Sequence, residues 1–297
     1  MSTSGCPFGY SASGAAHLSA ADMPQERHTN LTYGSYLKVP ELLELQGPLS
    51  VPAAHDELLF IISHQVYELW FKQMLHELTG VCRHLDSDEP LRAAQLLDRV
   101  HKIQNMLIEQ IPLLETMFSM DFARFRDNLR PASGFQSVQF RKVEFLLGAK
   151  NAKILELVGD DQAARDEMAK SLALPTPYDA FVRHLSREDH GLFSIPQDVL
   201  NRDTRLPHVL SMEMVAVLKV LYSAPGSKPN ERYWPQFLVA EHLLQMEEKL
   251  SIWRFHHVKM VERMIGIGLG TGGSTGAKYL RQTLDAQLYP DLWAVRS

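Results

Sequence analysis

The sequence predicts an all-α fold. Apolar residues recur at helical spacing through several windows far longer than a strand, and no stretch sustains strand alternation. Proline and glycine gather in clusters that separate these windows. The expected architecture is a bundle of long helices with a pocket between them and smaller inserted helices.

Residues 1–30 are rich in Ser, Ala and Gly, carry no charge before Asp22, and read as a disordered tail. Residues 31–297 read as one all-α domain. At its start Tyr33 and Tyr36 sit among Leu31 and Leu37, an arm of the kind that docks on its own domain or on a neighbouring subunit. Pro40–Leu45 suits one or two helical turns, and Gly47, Pro48 and Pro52 then break the helical pattern. Ala54 to Ser87 is the longest helical signal of the first half, with no Gly or Pro before Gly80. At about 1.5 Å per residue it spans roughly 50 Å. Asp56 and Glu57 suit its first turn, where the helix dipole favours carboxylates.

A second long helix is expected over 90–118, started by Pro90 and kinked or split by Pro112. Met120–Leu129 reads as a short helix, and Pro131–Phe135 as a turn leading into a helix over Gln136–Leu147. In 151–203, Pro175, Pro177, Gly191 and Pro196 separate shorter helices, which read as an insertion packing on the bundle. Met212–Tyr222 is helical, Ser223–Asn230 is a loop, 231–265 is the last long helix, and Gly276–Leu288 closes the chain.

Composition excludes several classes. The 297 residues are 45% hydrophobic and 22% charged, as in soluble globular proteins. A net charge of −5 without a basic run argues against nucleic acid as a partner. Cys6 and Cys82 alone make neither a disulfide framework nor a cysteine metal cluster, which fits a reducing cytoplasm. No basic region followed by an apolar core marks a signal peptide, and no apolar run is long enough for a membrane span. Cys-x-x-Cys-His is missing, so any haem would be held non-covalently.

Three stretches carry candidate chemistry. In the last long helix His257 shares a face with Leu250, Trp253, Val261 and Met264, while His256 points toward Lys249, Lys259 and Arg263. His257 therefore faces the core. A core histidine satisfied locally is the commoner case; the alternative is a metal or haem ligand. After this helix, Gly266 to Gly276 is glycine-rich, with Thr271 in its middle. It follows a helix and lacks the Gly-Lys-Ser/Thr ending, so a nucleotide-phosphate loop fits poorly. A flexible connector or a loop clamping a polar ligand remains.

In the first long helix Phe60, His64, Tyr67 and Phe71 form one aromatic stripe, either plain core or a pocket wall with His64 as its polar handle. Arg126 lies on the apolar side marked by Phe122, Phe125 and Leu129. It has to meet an anion there, either a nearby carboxylate or a substrate carboxylate gripped by its two-pronged guanidinium.

Six segments together carry a resemblance: Phe60-Ile61-Ile62-Ser63-His64-Gln65, Glu68-Leu69-Trp70-Phe71-Lys72, Phe125-Arg126-Asp127, Ser133-Gly134-Phe135-Gln136-Ser137, Trp253-Arg254-Phe255-His256-His257 and Gly270-Thr271-Gly272-Gly273-Ser274. In order and spacing, from about Leu31 to Arg296, the chain resembles the tryptophan 2,3-dioxygenase family.

The resemblance implies a cytoplasmic homotetramer with non-covalent haem b, active as Fe(II). It opens the indole C2–C3 bond of L-tryptophan with O2 to give N-formylkynurenine, the first step of catabolism through kynurenine. It makes His257 the axial iron ligand and His64 the partner of the indole N–H. Arg126 then pairs with the substrate carboxylate, and Thr271 helps hold the amino-acid end. Phe60, Ile61, Ile62, Ser63, Phe122, Leu129 and Ser133 are expected at the substrate, joined by Tyr33, Tyr36 and Leu37 from a neighbouring subunit. Some bacterial members carry Tyr at the position of Phe122, which removes a hydroxyl here and leaves the wall aromatic. Two rivals remain: a haem monooxygenase of the same superfamily acting on tryptophan or a methylated tryptophan, and a non-enzymatic haem protein. Against the second stand Arg126 and Thr271, since a gas sensor needs no amino-acid clamp.

Overall fold

The computed structural model describes residues 30–158, 161–188, 193–222, 231–266, 281, 283–284 and 286–296. Among them the regular structure is helical throughout. Residues up to Gln46 and residues from Gly47 onward form two compact units. The first holds α1 (Tyr33–Leu37) and α2 (Val39–Leu43). The Thr32 side chain accepts from the Ser35 backbone N–H and caps α1, and Lys38, at φ 55°, turns the chain between the two helices. Neither helix buries a residue.

The second unit is built on three long helices: α3 (His55–Asp86), α4 (Pro90–Leu114) and α11 (Trp234–Ile265). Around them lie α5 (Ser119–Arg126), α6 (Val138–Leu147), α7 (Gln162–Ala173), α8 (Pro177–Arg187), α9 (Gln197–Leu200), α10 (Met212–Tyr222) and α12 (Pro290–Ala294). No helix among the described residues is long and apolar enough to cross a membrane.

A three-residue turn joins α3 to α4, so the two run antiparallel: Tyr67 Oη donates to the Leu107 carbonyl, and Arg99 reaches back to Glu77. Gly80 lets them approach, since a Cβ there would stand 2.7 Å from Leu96 Cδ1. On the other flank α4 runs parallel to α11. His101 meets His242, Asn105 meets Lys249, and Glu115 meets Arg263 in rising order along both. Leu78, Val81 and Leu85 of α3, Leu97 and Val100 of α4, and Val239 and Leu243 of α11 are fully buried in one core.

Pro112 neither splits α4 nor ends it at once; the helix runs two residues further and stops at Leu114. The 120–129 helix is shorter than expected, passing into a 3-10 turn at Asp127–Leu129. α8, expected within an inserted segment, is among the most buried helices, with Tyr178, Ala180, Phe181 and Leu185 closed off from solvent. It also fastens the α3–α4 turn, because Arg187 and His184 both bind Asp88. The sequence does not predict α12, which packs against the core through Leu292.

His101 and His208 are each buried, and burial holds both near pKa 4. The unfolded chain takes up these protons near pH 6.5, so the neutral rings stabilise the fold above that pH and the contribution fades as pH falls toward 4. Denaturant unfolding at pH 7 and pH 5 should show a loss of about 1–2 kcal/mol per histidine. Replacing His101 by Gln should remove its share of that loss and leave the share of His208, and an unchanged slope would show that His101 titrates normally.

Candidate active site

A cavity of about 290 Å³ opens inside the second unit. From α3 it is lined by Phe60, His64, Tyr67, Glu68 and Phe71. Their spacing at three and four residues puts them on one stripe of a straight helix. α5 supplies Phe122 and Arg126, and the turn after it supplies Ser133, Gly134, Phe135 and Ser137. Phe140, Arg141 and Glu144 come from α6. Trp253, Arg254, His257, Met260, Val261 and Met264 come from the C-terminal half of α11. Leu114 and Met117 close the end where α4 stops.

On α11 the helical period groups Leu250, Trp253, Val261 and Met264 with His257; the last three and His257 line the cavity, Leu250 is buried in the core, and His256 is exposed. The His257 ring lies parallel to the Trp253 indole, centroids 5.2 Å apart and planes 6° apart. Burial, reinforced by His64 and Arg141, lowers the His257 pKa to about 4, so the ring is a neutral imidazole.

His64 presents its accessible surface to the cavity, and its Nδ1 lies 2.7 Å from the Phe60 carbonyl oxygen. A carbonyl can only accept, so Nδ1 carries the proton and Nε2 keeps its lone pair. Burial lowers the His64 pKa, against the opposing pull of the carbonyl and Glu68. The ring leans on Phe60 at 4.1 Å, and Phe60, Phe122 and Phe125 form an aromatic cluster with centroids 5.4–5.8 Å apart.

Of the other anticipated residues, Phe60, Phe122, Arg126 and Ser133 line the cavity. Ser133 caps the 3-10 turn behind it by accepting from the Phe135 N–H. Ile61, Ile62 and Ser63 lie off the lining, because the helical turn that brings Phe60 and His64 inward carries the three between them elsewhere; Ser63 is buried and Ile62 exposed. Leu129 sits in the 3-10 turn beyond α5 and is not a lining residue. Tyr33, Tyr36 and Leu37 belong to α1 in the first unit. Thr271 and the glycine-rich loop from 267 lie outside the described residues.

Four charged lining residues do not stand out in the sequence: Glu68, Arg141, Glu144 and Arg254. A signal exists for two of them, since Glu68 follows His64 by four residues and Arg254 precedes His257 by three, each on the inward face. Glu68 accepts from Ser137 Oγ and from Gln139 Nε2, which ties the 133–139 segment to α3.

Among the described residues no three His, Cys, Asp or Glu side chains gather to hold a bare metal ion. The cavity offers two imidazoles, His64 and His257, on a wall that is largely aromatic and aliphatic but includes Glu68, Arg126, Arg141, Glu144 and Arg254. A single imidazole, as from the buried His257, suits a metal that arrives with its own ligands, as iron does in haem.

Comparison with known proteins places the chain. The family described as tryptophan 2,3-dioxygenase matches residues 19–179 and 203–297. A tryptophan 2,3-dioxygenase of Kineococcus radiotolerans is 43% identical over 90% of this chain and 91% of its own length. One of Saccharopolyspora erythraea is 41% identical over 93% and 95%, and one of Xanthomonas oryzae pv. oryzae is 40% identical over 93% and 92%. With the family matching most of its length and such relatives covering nine-tenths of it, the chain belongs to the tryptophan 2,3-dioxygenase family.

Proposed function

We propose that this chain binds haem b non-covalently and uses O2 to cleave the indole C2–C3 bond of L-tryptophan, giving N-formylkynurenine. The observation that carries this reading is one apolar cavity shared by two histidines of different character, in a chain whose relatives are named tryptophan 2,3-dioxygenase. His257 would hold the haem iron, and the stacked Trp253 indole sets the plane of its ring. Haem, when bound, supplies the ferrous iron at which O2 reacts.

The remaining work falls to side chains that hold the substrate. Phe60 and Phe122 flank the indole. His64, with its proton on Nδ1, offers the Nε2 lone pair to the indole N–H. Arg126 pairs with the carboxylate through its planar fork. Thr271 helps hold the polar end of the amino acid, and Ser133 lines the pocket. Anchors at both ends of the molecule decide which ring carbons meet the oxygen. Both oxygen atoms enter the product, so no external reductant is consumed. A cytoplasmic homotetramer, in which Tyr33, Tyr36 and Leu37 reach a neighbouring subunit's pocket, belongs to the same proposal.

Haem-loaded protein, reduced without oxygen and then given tryptophan and O2, should yield a product heavier than tryptophan by two oxygen atoms. A gain of one would make the enzyme a monooxygenase.

For the iron ligand, His257→Ala should lose most haem affinity or the five-coordinate spectrum, and His256→Ala should keep both. If His256→Ala is the variant that fails, the helical phase assigned to α11 is wrong.

His64 is proposed to orient the ring without acting as an obligatory base. The indole N–H is a very weak acid, and a histidine with an ordinary pKa of about 6.5 deprotonates it only steeply uphill. Burial lowers the His64 pKa further, which weakens it as a base again. Losing one buried hydrogen bond costs roughly 1–3 kcal/mol, about five- to a hundred-and-fifty-fold in rate. His64→Ala should therefore retain measurable turnover. Complete loss of turnover with haem content and tryptophan binding intact would assign the histidine proton chemistry.

A further inference from the structure

Beside His257 the cavity wall contains a buried triad of charges. Glu144 accepts from Arg254 Nη2 at 2.7 Å through one oxygen and from Arg141 Nη1 through the other. All three side chains are nearly closed to solvent and all line the cavity. Replacing such a triad by apolar residues of similar size is often neutral or stabilising, so fold stability alone is a weak reason for its presence. Its connections are more telling. Arg254 lies one turn before His257 on α11 and also donates to the Thr283 carbonyl at 3.1 Å. Arg141 donates from Nε to the Phe135 carbonyl at 3.4 Å, and its guanidinium lies 5.4 Å from the Phe135 ring centre and 5.2 Å from that of Phe140. Phe135 belongs to the turn that Ser133 caps.

We infer that Glu144 is a positioning residue for the reaction: through Arg254 and Arg141 it locks the helix of the axial histidine to the turn that forms the substrate-side wall. One carboxylate then sets the spacing between His257 and the Ser133–Ser137 segment, and hence between the cofactor and the bound amino acid. The inference rests on the reading of this cavity as the haem and tryptophan site.

The test compares haem-loaded wild type with Glu144→Gln, which keeps the shape and one hydrogen-bond acceptor but not the charge. The control is Glu77→Gln. Glu77 is an equally buried carboxylate that binds Arg99 at 2.9 Å and lies off the cavity. The readouts are thermal melting, the absorption spectrum of the ferric form, and spectral titration with L-tryptophan. Glu144→Gln should weaken tryptophan binding about 10- to 100-fold and shift the spectrum, as loss of a supporting residue behind a metal ligand does. Glu77→Gln should lower the melting temperature alone. Wild-type spectrum and affinity in Glu144→Gln would overturn the inference and leave the triad a structural brace. Failure of the wild type itself to bind haem or tryptophan would remove the underlying reading as well, and is seen before any variant is compared. Should Glu144→Gln not fold, Arg141→Lys decides. It keeps the buried charge balance but loses the flat contact with Phe135. A weakened tryptophan affinity in that variant supports the inference, and an unchanged one overturns it.

Discussion

The packing of α4 between α3 and α11 is the constraint on which the rest depends. α4 fills the space between the two longer helices with Leu97, Val100, Ile103 and Leu107, all buried. It then stops at Leu114, two residues after Pro112 removes an N–H from its last turn. α3 runs antiparallel to α4 and α11 runs parallel to it. The cavity is lined from α3 and α11 near the end of α4, where Leu114 and Met117 join the lining. His64 and His257 face one space because each lies on the inward stripe of its helix.

Two kinds of wall then close the cavity. The aromatic one is made of Phe60, Phe122, Phe140 and Trp253, with Phe125 packed edge-on against Phe122 and Phe60. Such rings bury large areas and hold defined geometry at little conformational cost. The polar one is held by carboxylates that reach between segments: Glu68 takes Ser137 and Gln139, and Glu144 takes Arg141 and Arg254. Burial lowers the pKa of both histidines, that of His257 to about 4.

Much of this is legible in the chain. Helix periodicity separates His257 from His256 and groups it with Trp253, Val261 and Met264, since a helix of that length has one inward stripe whatever it packs on. The stripe of Phe60, His64, Tyr67 and Phe71 is equally visible. The short segments are less so. Pro112 reads as a break because its ring and missing N–H act locally, yet the helix carries two residues further before its carbonyls turn to other partners. α8, which reads in the sequence as part of an inserted segment, buries the polar Asp179 and His184 along with its apolar residues, because their partners Arg202 and Asp88 come from elsewhere in the chain.

What the sequence determined by itself was the long helices and the inward faces of α3 and α11, because periods of three and four residues along one helix need no knowledge of the neighbours. It also determined the family, through motifs spread over nearly the whole chain. Only the tertiary structure decided which inward faces share a space. Ile61, Ile62 and Leu129 are near neighbours of lining residues in the chain and lie off the cavity, while Glu144 and Arg254, 110 residues apart, meet within it. An arginine and a glutamate so far apart carry no mutual signal in the sequence. Their pairing depends on where α6 and α11 come to rest, and two buried guanidinium groups beside one carboxylate then leave each charge a defined partner.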